Sequence, residues 1–195
     1  MTISKEWHAR AQVEYFSAFL KLWLSFNSYY KNHLISGLPR NSPDREFIER
    51  IKTTDNVLKN KFKSLYEGDF DDSKEFKLYL IELIKKYDGG RLGGLTIRGD
   101  DLTISMNGAH LNEISFKDFI HPLSLDLKRR PPHYIKVNKV YIKENPDDIF
   151  PYFIEIIYAL RNMLVHGSMA PSEDNHKIIS HVYDTLNFLI KDLIP

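Results

Sequence analysis

The chain contains no cysteine, which excludes disulfide staples, thiolate zinc sites and thiol nucleophiles and fits a reducing compartment. Neither sign of charge is in surplus: 27 Lys and Arg against 26 Asp and Glu leave a net charge of +1. Bulk electrostatics therefore do not announce a nucleic-acid binder, and recognition of phosphate has to come from local charge. Long apolar runs are missing as well. None approaches the ~20 residues of a membrane span, and the polar start after Met1 has no apolar signal-peptide core. The expectation is a cytoplasmic protein with no membrane partner. No His-x-x-x-His pair or carboxylate cluster has metal-ligand spacing. "GGRLGG" at 89–94 lacks the Lys and Ser or Thr of a phosphate loop, and there is no Gly-x-Ser-x-Gly elbow. Neither a metal nor a cofactor is expected.

What is present suits one domain over residues 1–195, long enough to bury roughly 70% of its unfolded surface without staples. Residues 4–33 repeat apolar positions at steps of three and four, with Ser4 as N-cap and a wide aromatic face through Tyr15, Trp23, Phe26 and Tyr30. "SPDREF" at 42–47 reads as a helix start, with Ser42 capping, Pro43 in first position and acids in the first turn. That helix runs to about Tyr66, with "TTDN" as a point of interruption. "DDSKEFKLYLIELIKKY" has acids at its start and lysines at its end, as the helix dipole prefers. A further helix starts at Asn145 or Asp148 and stops at Gly167, where a left-handed residue belongs. An amphipathic helix through Ile178, Val182, Leu186 and Leu189 closes the chain.

Residues 88–144 differ in character. They hold six of the nine glycines, and "LTIRGDDLTIS" reads as two alternating runs about a Gly-Asp turn. The fold expected is therefore a mainly all-α bundle of four or five helices. Residues 88–144 form a polar insertion in it, with a β-hairpin.

"YALRNMLVHG" at 158–167 carries the chemistry. On an ideal helix Asn162 and His166 lie within about 40° of each other, whereas Arg161 is about 140° from His166 around the axis. Imidazole gives or takes a proton near neutral pH, and guanidinium grips phosphate oxygens through two donors while staying charged. A helix C-terminus favours imidazolium and would raise the histidine pKa. A ribose 2′-OH supplies an internal nucleophile, so such a pair suits RNA cleavage without a metal. The same residues also read as a plain helix cap, with the arginine stem covering apolar surface.

"RNMLVHG" resembles the arginine, polar residue, spacer and histidine signature of the HEPN superfamily. It stands, as in that family, at the end of the penultimate helix. "LKLWLSFNSYY" at 20–30 resembles the aromatic string of the family's first helix. The resemblance covers 4–87 and, more closely, 145–194; it does not reach 88–144. It implies a helical bundle, frequent dimers, and metal-independent RNA cleavage at a composite site, often in toxin–antitoxin and antiviral systems. Carried over, Arg161 would stabilise the phosphate, Asn162 would orient substrate or histidine, and His166 would act as general acid or base. A cognate antitoxin or regulatory protein is the implied protein partner. Some members bind without cleaving, so the alternative is a non-catalytic binding or assembly module for a partner protein or nucleotide.

"KRRPPHYIKVNKVYIK" at 128–143 has six basic residues and no acid, interleaved with aromatics. Lys128, Arg129, Arg130, His133 and Tyr134 are the candidate RNA contacts, since basic groups neutralise phosphates and rings stack on bases. A solvated basic loop is the competing reading. Asn27 reads as a hydrogen-bonded core residue or a site contact. The angular separation of Arg161 and His166 points to a homodimer in which two copies of the motif meet, with Leu160 and Leu164 serving as interface as well as core.

Overall fold

The computed structural model describes residues 15–88, 145–167, 169 and 173–194, together with short strand segments between residues 91 and 143. Six α-helices are described: α1 (Tyr15–Tyr29), α2 (Asp44–Thr53), α3 (Val57–Glu67), α4 (Asp71–Asp88), α5 (Pro146–Val165) and α6 (Glu173–Ile190). The all-α expectation holds. The first of the expected helices has its start outside the described residues, and its end differs. After Tyr29 the chain makes one wider turn, Tyr30–Leu34, closed by Ile35 N–H donating to the Tyr30 carbonyl at 3.1 Å.

Helix ends follow local chemistry, with one exception. The interruption at "TTDN" is real: Asn56 accepts a hydrogen bond from Lys59 N–H at 2.9 Å and starts a new helix, which raises the count to six. Asn145 likewise accepts from Asp147 N–H at 3.0 Å at the head of α5, with Pro146 next. The exception is α2. Pro43, not Ser42, occupies the cap position, and no side chain caps it. Asp44 is therefore the first helical residue, with its carboxylate near the free N–H groups of that end.

α1 packs on α6, α4 on α3 and α6, and α5 on α2 and α3. The shared core is heavily aromatic. Phe62 meets Phe76, Phe150 and Phe153 at ring-centroid distances of 5.4, 5.5 and 5.4 Å. Trp23, Phe26, Tyr30 and Phe47 form a second group, all essentially inaccessible. Burying rings of this size gives the bundle most of its apolar payload. α5 is the element that touches both groups, through Phe150 and Phe153 at one end and Tyr158 at the other.

The strand segments pair antiparallel, the two longest ladders setting Leu95–Arg98 against Thr103–Met106 and Tyr134–Val137 against Val140–Lys143. The residues joining these segments lie outside the described residues, so the inserted subdomain expected over 88–144 is not shown. Lys128, Arg129, Arg130 and His133 lie outside them too. Tyr134 falls in the strand Tyr134–Val137, of which only the backbone is described. Among the described residues, no helix is long and apolar enough to cross a membrane.

Candidate functional site

The last turns of α5 send the three motif residues in three directions. Leu160, Asn162 and Met163 face the core, and Asn162 is only 5% exposed. Arg161 sits at the edge of the bundle with 23% of its side chain accessible. Val165, His166 and Gly167 are exposed. The helix closes as its sequence dictates: His166 N–H donates to the Asn162 carbonyl at 2.9 Å, Gly167 N–H to the Leu164 carbonyl at 3.2 Å, and Gly167 takes φ +67°. The left-handed residue ends the helix and leaves the imidazole in solvent just beyond it.

Arg161 is held from three sides. Its Nη1 donates to Asn162 Oδ1 at 2.8 Å, so the two adjacent residues orient each other. Its Nη2 lies 3.5 Å from Asp44 Oδ2 at the start of α2. The guanidinium carbon stands 5.7 Å from the centroid of the buried Trp23 ring, a cation–π arrangement. The buried Nε has no acceptor among the described residues.

Asp44 gathers a wider network. Lys31, in the wide turn after α1, places Nζ 2.5 Å from Asp44 Oδ1. Asn27 also hydrogen-bonds the Asp44 carboxylate and donates to the Tyr30 hydroxyl. Burial alone would push the Asp44 carboxyl up, but hydrogen bonds from Lys31 and Asn27 and the charges of Lys31 and Arg161 outweigh it. The carboxyl therefore sits below its ordinary range and stays ionised. Burial, with the Asp44 charge nearby, pushes the Tyr30 phenol well above its usual value, so that hydroxyl remains protonated.

Nearer the start of α5, Glu155 is buried amid the apolar run and takes both Arg45 and Lys52, the latter at 2.6 Å. Arg45 also pairs with Glu49 and stands 5.8 Å from the Tyr158 ring centroid. Asp44 and Arg45, neighbours in α2, thus clamp α5 through oppositely charged contacts.

The arrangement joins Asn162 to Arg161, where the resemblance implies a partner in substrate or histidine, and adds Asp44 and Lys31, which sequence reading missed. In the sequence Asp44 is only a first-turn acid, and Lys31 carries no signal beyond its place after "SYY". Asn27 enters the network through Asp44. His166 does not join it: among the described residues no hydrogen bond or ion pair links His166 to Arg161. Chemically, Lys31 and Arg161 bracket one carboxylate at a partly open edge, leaving an excess of one positive charge suited to an anion. Comparison with protein-family models, curated proteins and solved structures finds no match to this chain.

Proposed function

We propose that the protein is a metal-independent endoribonuclease of HEPN type. It would act in the cytoplasm as a homodimer, in a toxin–antitoxin or antiviral setting with an antitoxin or regulatory partner. The observation that carries this reading is the condition of the two motif ends. Arg161 is pre-oriented by Asn162 and Asp44 yet keeps part of its surface open, and His166 stands in solvent one residue beyond the helix. A fixed guanidinium stabilises charge on a phosphate without reorganising, and an exposed imidazole is free to exchange protons. Arg161 is the phosphate stabiliser, Asn162 its orienting partner and His166 the general acid or base. Lys128, Arg129, Arg130, His133 and Tyr134 supply the RNA path.

The decisive experiment is incubation of the pure protein with total RNA in EDTA, with end groups identified. Cyclic phosphate ends support the assignment. Absence of cleavage at all concentrations, together with tight binding to a co-purified partner, supports a different class, a non-catalytic binding module. One observation favours that second reading: Arg161 already has Asp44, Asn162 and Trp23 around it, as a purely structural arginine would.

A further inference from the structure

The ribonuclease reading leaves Lys31 without a role, although it meets the same Asp44 carboxylate that orients Arg161. The two contacts to Asp44 are unequal. Lys31 meets Oδ1 at 2.5 Å, whereas Arg161 stands off Oδ2 at 3.5 Å, the outer limit of a hydrogen bond. Asn27 adds a further hydrogen bond to the same carboxylate. The carboxylate charge is thus spent chiefly on Lys31, while Arg161 is aimed but not neutralised. All three side chains are partly open to solvent, at 23% for Lys31, 19% for Asp44 and 23% for Arg161. Two cations against one anion leave one net positive charge at that opening. Both cations are within reach of a single bridging group, and Trp23 and Asn162 prevent Arg161 from swinging away.

We propose that Asp44 is a positioning residue that holds Lys31 and Arg161 as a two-cation clamp for one phosphodiester of the RNA. An incoming phosphate takes the free donors of Arg161 and Lys31 and neutralises the excess charge, while Asp44 keeps the two heads at one phosphate's spacing. This rests on the ribonuclease reading for its substrate, but the positioning itself is observable without any cleavage.

The test uses the full chain with arginine labelled by heavy nitrogen. Its guanidinium resonances are followed in the parent, Asp44→Asn and Asp44→Glu, with Arg161→Lys identifying the Arg161 signals. A 2′-O-methyl oligonucleotide, which binds but lacks the internal nucleophile, is titrated into each variant and into Lys31→Met. The expected result has four parts. The parent shows slowed guanidinium rotation; Asp44→Asn loses it and Asp44→Glu restores part of it. Lys31→Met weakens oligonucleotide binding and lowers its salt slope by about one. In parallel, Asp44→Asn slows single-turnover RNA cleavage in EDTA by about a hundredfold with the melting curve still cooperative, and raises KM little. Unchanged Arg161 resonances in Asp44→Asn overturn the proposal, as does an unchanged salt slope in Lys31→Met. If the resonances and binding behave as expected but the parent cleaves no RNA, the clamp stands and the ribonuclease assignment falls. If Asp44→Asn cleaves at the parental rate, the clamp falls and the ribonuclease stands.

Discussion

The guanidinium of Arg161 lies over the indole of Trp23, its central carbon 5.7 Å from the ring centroid, so the residue that carries the charge rests on a ring that is 1% exposed. The pairing joins the first helix to the fifth across the edge of the core. It also predicts an order of variants. Trp23→Ala removes a fully packed ring and should cost about 3–5 kcal/mol. Trp23→Phe keeps an aromatic face beneath Arg161 and deletes an indole N–H that has no acceptor among the described residues, so it should cost less than half as much. Urea unfolding with unchanged slopes measures both, and equal losses would refute the role of the aromatic face.

Asp44 makes stability depend on acidity in a defined direction. Its carboxyl is held below its ordinary value in the folded chain, so the folded state binds that proton less readily than the unfolded state. The contribution is therefore complete above the unfolded carboxyl value, about pH 4, and is lost as pH falls through the lower folded value. Asp44→Asn should be less stable than the parent at pH 6, and the gap should close progressively below about pH 4. Paired denaturation series across pH 2–7 (roughly the carboxylate window) measure the gap, and a constant difference would contradict the pairing.

Glu155 is the counterpart nearer the start of α5, holding Arg45 and Lys52 where Lys52 is 14% and Arg45 34% exposed. Glu155→Gln leaves both cations only the more exposed carboxylate of Glu49. Full burial would make that cost about 3–5 kcal/mol, and the exposure of Arg45 reduces it toward about 2–3 kcal/mol. Glu155→Leu combined with Lys52→Met should recover part of the loss by replacing charge with packing. Denaturant unfolding decides it: a double variant no more stable than Glu155→Gln removes the ion pair as the cause.

How much of this was legible before the structure depended on distance along the chain. Asn56, Asn145 and Gly167 end or begin helices through groups one to three residues away, and their roles follow from residue type. Asp44 and Arg161 are 117 positions apart, and only the docking of α2 on α5 brings them together. Capping chemistry even favoured Ser42 over Pro43, because a hydroxyl beside a proline is the usual start. The wide turn at Tyr30–Leu34 left no local mark, yet it sets Tyr30 inward and Lys31 toward Asp44. Glu155 did leave one: a lone acid inside "YFIEIIYAL" signals a buried cation partner, though not which cation.

The end of α5 separates a structural from a chemical role for its histidine. His166 is exposed and its cap function is carried by its backbone, so His166→Ala should cost no more than about 1 kcal/mol while abolishing RNA cleavage. Gly167→Ala meets no atom within 4 Å, so its cost, about 1 kcal/mol, comes from the left-handed backbone alone. Melting and cleavage measured on the same samples check both. If His166→Ala cleaves like the parent, the imidazole takes no part in the chemistry.

The last prediction concerns the partner of the site. Within one chain Arg161 turns toward Asp44 and Trp23, while His166 stands exposed beyond the end of the helix. One phosphate is therefore poorly surrounded by a single copy. Two chains related by a two-fold axis near the end of α5 would set the Arg161 of each against the His166 of the other, giving one charge stabiliser and one acid/base per phosphate. Of the two roles expected for Leu160, core and interface, only the first holds: it is wholly inside its own bundle. Leu164, half-buried, and Val165, 52% exposed, are the apolar residues that remain. Mixing Arg161→Ala chains with His166→Ala chains should restore up to about a quarter of parental cleavage if subunits exchange freely, because half the dimers are mixed and each of those keeps one intact pair of the two. Val165→Glu should reduce both dimer content in light scattering and cleavage. An active monomer, or a mixture as dead as its components under conditions where exchange is demonstrated, would sink the shared site.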